Sequence, residues 1–462
     1  MIAKGAKSVI SFKEEVTWGT EPTTGYQDIS FSSEKFTEKI NTVMSDEIRR
    51  DRSVPNVRGG NIAAGGDLTT DFGISRWGNW LRHALAATSA SAAVVSTPLE
   101  AGVVAIGDVR VSNGKAYACL HGGTLTNTEA AIAATADNLT GIINCPPAHL
   151  LTTGRAFFLT GTTAPAGLAL NTVYYAIVID ADDIKPASSY ANALAGTAIA
   201  FTDDGTAISI NATPSLVATS GTATLQSTKW VYIGASTLSL NKHVLTAGAD
   251  MPAGGIAVEK GVLGGDENFY LTLLGGRINT LDIKIQKEKM VESTWGLLFK
   301  EAVQTTTPHA AAGDSITDTS VMCYDVALVI GDTLACRPVT EGDISLKNNI
   351  AEDVYTLCSR YREELPEARR EVSGKISTYF RDATEYTLFK NETTFSLVFS
   401  FTSSGKTLII ELPENKFTGS PTPTVSGQGV ITSDFEFTSF KNTANYDIRV
   451  TIIDGNAALI GI

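Results

Sequence analysis

Gly65-Gly66-Asp67-Leu68-Thr69-Thr70-Asp71-Phe72-Gly73-Ile74-Ser75-Arg76-Trp77-Gly78-Asn79-Trp80-Leu81-Arg82-His83-Ala84-Leu85 is the stretch on which the fold turns. Leu68, Thr70, Phe72 and Ile74 alternate with Thr69, Asp71 and Gly73, the period of a half-buried strand. Ser75 then offers an N-cap. From there Trp77, Trp80, Leu81, Ala84 and Leu85 recur at helical spacing, which predicts a helix over 76–87 with one apolar face. A strand thus runs directly into an amphipathic helix carrying two tryptophans, and together they need a core to face.

The remainder of the chain supplies that core mainly as strands. Ile283 and Ile285 alternate with Lys284 and Gln286; Val291, Ser293, Trp295, Leu297 and Phe299 alternate with more polar neighbours. Further strands are predicted over 396–403, 406–412, 430–440 and 447–453. In the third of these, Ile431, Phe435 and Phe437 share one face while Thr432, Asp434 and Glu436 share the other, so one side is buried and the other wet and acidic. Asp382 followed by Glu385 makes a capping-box pattern for a short helix to about residue 391. The 41 glycines and the wealth of Ala, Ser and Thr fit a mainly β chain with many turns.

At 462 residues, two or more domains are expected. Three regions separate by composition: 1–100, 101–236 and 237–462. The middle region is dense in Ala, Gly and Thr and carries five bases against eight acids, a net −3 that leaves −10 of the −13 to the rest. Strand-like runs at 172–179 and 198–202 and a turn at Asp203-Asp204-Gly205-Thr206 make it an inserted all-β domain. The acidic balance argues against a protein that grips nucleic acid, which needs a basic surface. The opening residues lack the pattern of a secretory signal, no apolar run approaches the ~20 residues of a membrane span, and five widely spaced cysteines suit reduced thiols made in a cytoplasm.

Several stretches, in order, carry a resemblance: Glu15-Val16-Thr17-Trp18-Gly19-Thr20-Glu21-Pro22 near the start, then Ser45-Asp46-Glu47-Ile48-Arg49-Arg50-Asp51-Arg52 with Arg58-Gly59-Gly60, a charged loop. Gly65-Gly66-Asp67-Leu68 and the Trp77–Leu85 segment continue it, and Gly374–Phe380, Leu408–Pro413 and the strand through Phe437 complete it. Together they resemble one family, the tail tube proteins of long-tailed (siphovirus-like) bacteriophages. The resemblance implies a β-sandwich or barrel with a flanking helix, stacked in hexameric rings as a virion channel through which DNA passes without specific binding. It implies as partners further copies of the chain, a tape measure protein, and tail terminator and distal tail proteins. The insertion departs from the pattern. Its outer ends, 107–117 and 229–234, look like two halves of a small virion β module, and segments within 128–221 resemble a second module nested inside the first.

The candidate functional residues are arginines and acids. Arg49, Arg50, Arg52 and Arg58 lie in the loop 46–58 of an acidic chain, where bidentate pairing with a neighbouring subunit or ring competes with local pairing to Glu47 and Asp51. Asp434 and Glu436 face either a lumen or plain outer surface. Catalytic patterns do not hold up: Gly405-Lys406-Thr407 lacks the upstream glycine of a phosphate loop and reads as a hairpin turn. Gly427-Gln428-Gly429 lacks a third glycine, and Cys119 and His121 lack a second pair at zinc-ligand spacing. Asp180-Ala181-Asp182-Asp183 reads as a polar loop before a calcium site. No catalytic residue, metal or cofactor is expected. The competing function is a tail adhesin that binds host surface glycans, with Trp230, Tyr232 and Tyr174 as stacking aromatics; a glycan hydrolase would need a carboxylate pair that nothing singles out.

Overall fold

The computed structural model describes residues 5–47, 56–94, 97–98, 102–112, 115–125, 131–146, 149, 151, 153–212, 230–235, 239–308, 314–315, 318–331, 339–380, 383–419, 423, 430–443 and 446–459. Strands dominate, with three short α-helices, Gly78–Ala84, Tyr190–Leu194 and Thr384–Lys390. The chain is mainly β, as its periodicities predict.

One half of the main sheet runs Val57–Asp71, Glu292–Phe299, Phe269–Gln286, Val339–Lys347, Glu371–Tyr379, Thr432–Phe440, each antiparallel to the next. The Lys406–Phe417 strand turns the corner. Its far end pairs with the Thr432 strand, while its first half lies between Phe395–Ser403 and Arg449–Asp454. Asn241–Thr246 and Thr88–Ala93 extend this second half on one side and Val326–Ile330 on the other. The two halves share one core, in which Leu281, Ile283, Ile344, Phe435 and Phe437 meet Leu245, Phe399, Leu408, Ile410 and Val450.

The helix wedged into this sandwich is Gly78–Ala84, shorter than the predicted 76–87. Ser75 does not cap it. The carboxylate of Asp318, far away in sequence, takes the N–H groups of Ser75 and Arg76 at 2.6 and 3.1 Å, and Ala86 ends the turn at φ +50°. Trp77, Trp80 and Trp295 are fully buried and pack with ring centroids 5.0–5.4 Å apart. The helix spacing and the strand alternation each predicted one side of that contact.

Glu15-Val16-Thr17-Trp18-Gly19 has a clear structural role. The 18-residue Phe269–Gln286 strand bends at Gly275, whose φ is +67°. Before the bend it pairs with Ile256–Val262 and Glu301–Thr305; beyond it, with the Glu292 and Val339 strands. The buried Glu15 carboxylate accepts the N–H groups of Gly275 and Gly19, both at 2.7 Å, and Trp18 Nε1 donates to the Gly275 carbonyl at 2.9 Å. A side chain at Gly275 would collide with Lys300 and Trp18. The motif is a latch on a bent strand.

In the middle region, Thr97–Pro98, Val109–Ser112, Lys115–Cys119 and Trp230–Ala235 make a four-stranded sheet. Val109, Val111, Ala116, Ala118 and Ile233 of this sheet pack on Val329, Val398, Ile409 and Ile453, the outward face of the second half of the sandwich. A separate seven-stranded sheet spans Ile132 to Ala212 and holds its own core around Ile143, Phe157, Leu159, Ile184 and Ile210. The run 198–202, expected as a strand, is irregular instead. Ile199 and Thr202 donate to the carbonyls of Pro186 and Ala166, loop contacts that replace a ladder. Asp203 Oδ1 holds the following turn by accepting from Ala166 and Gly205.

Candidate functional site

Asp434 and Glu436 project from the Thr432–Phe440 strand, whose residues alternate exposed and buried through Ser439. The register extends their surroundings across the sheet. Glu436 lies beside Lys375, Lys375 beside Asp343, Asp343 beside Lys284, Lys284 beside Glu292 and Glu292 beside Asp71. One row of side chains therefore crosses six strands with each lysine fenced by an acid on both sides. The adjoining rows bring Asp434, Ser377, Glu341 and Gln286 on one flank. On the other come Thr438, Ser373, Ser345, Asp282, Thr294 and Thr69, then Glu371, Lys347, Thr280 and Asp67. These four rows carry nine acids, three lysines, hydroxyls and no arginine. Their opposite face is the apolar core.

Local chemistry holds one of these cations, Lys375, in place. Lys375 Nζ lies 2.7 Å from Asp434, which also accepts from Ser377 Oγ at 2.6 Å. The lysine and the serine together hold the Asp434 carboxyl below the usual range, and the bond to Asp434 raises Lys375. Burial pushes Asp343 up; the Lys375 N–H, 2.9 Å away, only partly offsets it. Two residues named from sequence are thus the edge of a larger field. The alternation in Ile283–Gln286 and Glu292–Phe299 pointed at Lys284 and Glu292. Only the register puts them in one row with Glu436.

The arginines are placed otherwise. Arg49, Arg50 and Arg52 lie outside the described residues. Arg58, expected in a loop, is on the Val57–Asp71 strand opposite Val43 of Thr37–Met44. These two strands form a ribbon that leaves the sandwich, and all eight residues of Thr37–Met44 are exposed. Ile40, Val43, Met44 and Val57 present apolar side chains to solvent on it. Its base is braced by the segment around Arg360: Ile62 donates to the Arg360 carbonyl, Arg360 Nε to Gly60, and Arg362 Nη1 to Ala64 and Phe299.

Of the three candidate stacking aromatics, Tyr174 is withdrawn. It is buried in the core of the seven-stranded sheet, and its hydroxyl accepts the Ala169 N–H at 2.7 Å. Tyr232 is exposed, edge-on to Tyr117 and beneath Lys115; Trp230 is half-buried. Asp180 Oδ1 is occupied by the N–H groups of Asp182 and Asp183, and Asp183 by Asn144, which makes a turn. Ser404 and Gly405 turn the hairpin between the Phe395 and Lys406 strands at φ +51° and +77°. Gly427-Gln428-Gly429 lies outside the described residues. Sequence reading missed a buried polar cluster. Buried His243 sits 2.7 Å from Ser91 Oγ, 2.9 Å from the Asn456 carbonyl and 3.4 Å from Asp454. Ser91 and His243 are direct register partners, so this contact ties the edge strand Thr88–Ala93 to its neighbour. Among the described residues no group of three His, Cys, Asp or Glu side chains is placed to hold a metal, and no helix is long and apolar enough to cross a membrane.

No curated protein matches the chain. A family model does, described as phage tail tube protein, over residues 5–228 and 234–439. Both stretches of the match carry the motifs that brace the fold: the Glu15 latch and the helix with its two tryptophans in the first, the Trp295, Lys375 and Phe437 strands in the second. The chain belongs to the phage tail tube protein family, and is a structural, non-enzymatic component of a bacteriophage virion.

Proposed function

We propose that this subunit forms stacked, hexameric rings, and that the acidic six-stranded face lines the channel through which DNA is ejected. One observation carries the reading: the sandwich has two unlike outer faces. The face formed by Val329, Val398, Ile409 and Ile453 is covered by the inserted sheet. The opposite face is a polar field in which each lysine of the central row is flanked by carboxylates. An insertion that projects outward leaves the opposite face to look inward. A duplex carries one negative charge per ~1.7 Å, and an arginine-rich lining would hold it through ion release. Fenced lysines and hydroxyls do not, which suits DNA that must slide.

In this reading 1–100 and 237–462 are the tube core and 101–236 is a decoration with a second module, about 128–221, nested in it. The arginines near 49–58 contact the neighbouring subunit or ring, and the tape measure, terminator and distal tail proteins are the other partners. Electron microscopy of the purified protein tests the assembly: hollow tubes or stacked rings are expected, and trimeric spikes would replace this reading with that of a glycan-binding adhesin. Phage carrying Asp434→Lys/Glu436→Lys tests the lining. Assembled tails with slowed DNA release are expected; release at the normal rate counts against a lumenal position.

A further inference from the structure

The four-stranded sheet of the middle region packs one face on the sandwich, through Val109, Val111, Ala116, Ala118 and Ile233. The residues between these point the other way. Arg110 is the register partner of Tyr117, and Tyr117 that of Tyr232, so one row crosses three strands on the outer face. Tyr232 is 51% exposed and Lys115 is exposed, while Arg110 and Tyr117 are half-buried. The two tyrosine rings meet edge-on with centroids 5.7 Å apart, and Lys115 Nζ stands 5.7 Å from the Tyr232 centroid. Trp230, two residues back on the Tyr232 strand, is half-buried on the same face. Arg110 Nη1 donates to the Val109 carbonyl, and Nη2 lies 4.0 Å from Asp108.

The make-up of this face narrows its occupant. Three strands ~4.8 Å apart, each about five residues long at ~3.3 Å per residue, give roughly 250 Å². A stable protein interface takes about 800 Å² from each partner, so a folded partner is a poor fit. A nucleic acid needs a run of cations for successive phosphates, and the middle region carries five bases against eight acids. Tyrosine and tryptophan offer an apolar ring with a polar tip. A sugar matches that, with C–H groups on its ring face and hydroxyls at its rim. Arg110 at one end of the row and Lys115 over the ring at the other add charge-assisted bonds to a carboxylate or phosphate.

We propose that this face binds an anionic polysaccharide, its sugar rings stacked on Tyr232 and Tyr117 and its acid groups held by Lys115 and Arg110. Only the outward direction of the site rests on the tube reading above: the sandwich face beneath this sheet is opposite the acidic rows. The full-length protein, unassembled and as tubes, is tested for retention on beads carrying polygalacturonate, teichoic acid, dextran or poly-L-glutamate. Both forms should be retained by one of the first two, and which one tells carboxylate from phosphate. Retention by neither would overturn the site and leave the tube reading intact. Equal retention by poly-L-glutamate, which has charge without rings, or by dextran, which has rings without charge, would also overturn it. Retention of the subunit but not of tubes would overturn the outward site. Retention of a protein that forms neither tubes nor rings would keep the site and overturn the tube reading. Tyr117→Ala/Tyr232→Ala should weaken binding about tenfold with the melting temperature within about 4 °C. Tyr117→Phe/Tyr232→Phe, which keeps the rings, should stay within about threefold of the parent, and Lys115→Glu should lose about fivefold. Unchanged binding in the alanine pair would overturn the proposal.

Discussion

Glu15 shows how much one buried carboxylate organises. It satisfies two N–H groups at the bend of the longest strand, one of them on Gly275 itself. Each buried N–H left without a partner costs roughly 1–3 kcal/mol, so Glu15→Ala should lower stability by about 2–4 kcal/mol in urea unfolding. Gly275→Ala adds left-handed strain of about 1–2 kcal/mol before its collision with Lys300 and Trp18. Next to it in sequence, Glu14 pairs with Arg82 and lies 3.5 Å from buried His83. Burial opposes the Glu14 charge, yet the bonds from His83 and Arg82 outweigh it and bring its pKa from 4.5 to about 2. A depressed carboxylate stabilises above its unfolded pKa, so that contribution is lost as pH falls from about 4.5 towards 2. Burial also lowers His83, with Glu14 opposing. The unfolded chain then takes up that proton first, and stability begins to fall below pH 6.5. Unfolding midpoints measured from pH 7 to 3 should therefore decline, and Glu14→Gln should flatten the lower part by up to about 3 kcal/mol. On the wet face the expectation is the reverse. Asp434→Asn removes a half-exposed ion pair and should change stability by less than about 1 kcal/mol.

Among whole elements, burial on one side or both explains which parts were legible. The Thr432 strand alternates strictly, and its two faces were readable from sequence alone. The strands Val326–Ile330, Phe395–Ser403, Lys406–Phe417 and Arg449–Asp454 instead hold near-continuous apolar runs, such as Leu408-Ile409-Ile410. Leu408 and Ile410 enter the sandwich core, while Ile409 enters the layer beneath the four-stranded sheet of the middle region. Such runs are the mark of a strand covered on both sides, and they were the available signal that a second layer covers this face. Ile409→Asp should thus cost several kcal/mol, as a core substitution does and a surface change does not. The helix boundary was less legible because the turn that leads into it is held by Asp318, 243 residues from Ser75. Local spacing cannot register such a partner. Trp295→Ala, which opens the tryptophan cluster, is expected to lose about 3–5 kcal/mol.

For the molecule as a whole, the two larger sheets of the middle region call for different deletions. Removing 101–236 strips the cover from Val329, Val398, Ile409 and Ile453 and should yield aggregated protein. Replacing 128–221 by a short glycine-serine linker leaves that cover in place and takes out a sheet with its own core. That variant should remain folded and form tubes, as checked by size-exclusion chromatography and electron microscopy. Charge reversal at Arg50 and Arg52 should abolish tubes while leaving the subunit folded; normal tubes would place those arginines away from any interface. The sequence by itself determined the mainly β class, the strand-to-helix passage with its tryptophans, the acidic face of the last long strand and the family resemblance, because each is carried by local periodicity or by ordered motifs. The tertiary structure decided the rest. Which acids and lysines share a row, which strands are covered twice and which end of the sheet carries the ribbon all depend on register between strands far apart in the chain, and a one-residue slip in register would send every side chain to the other face.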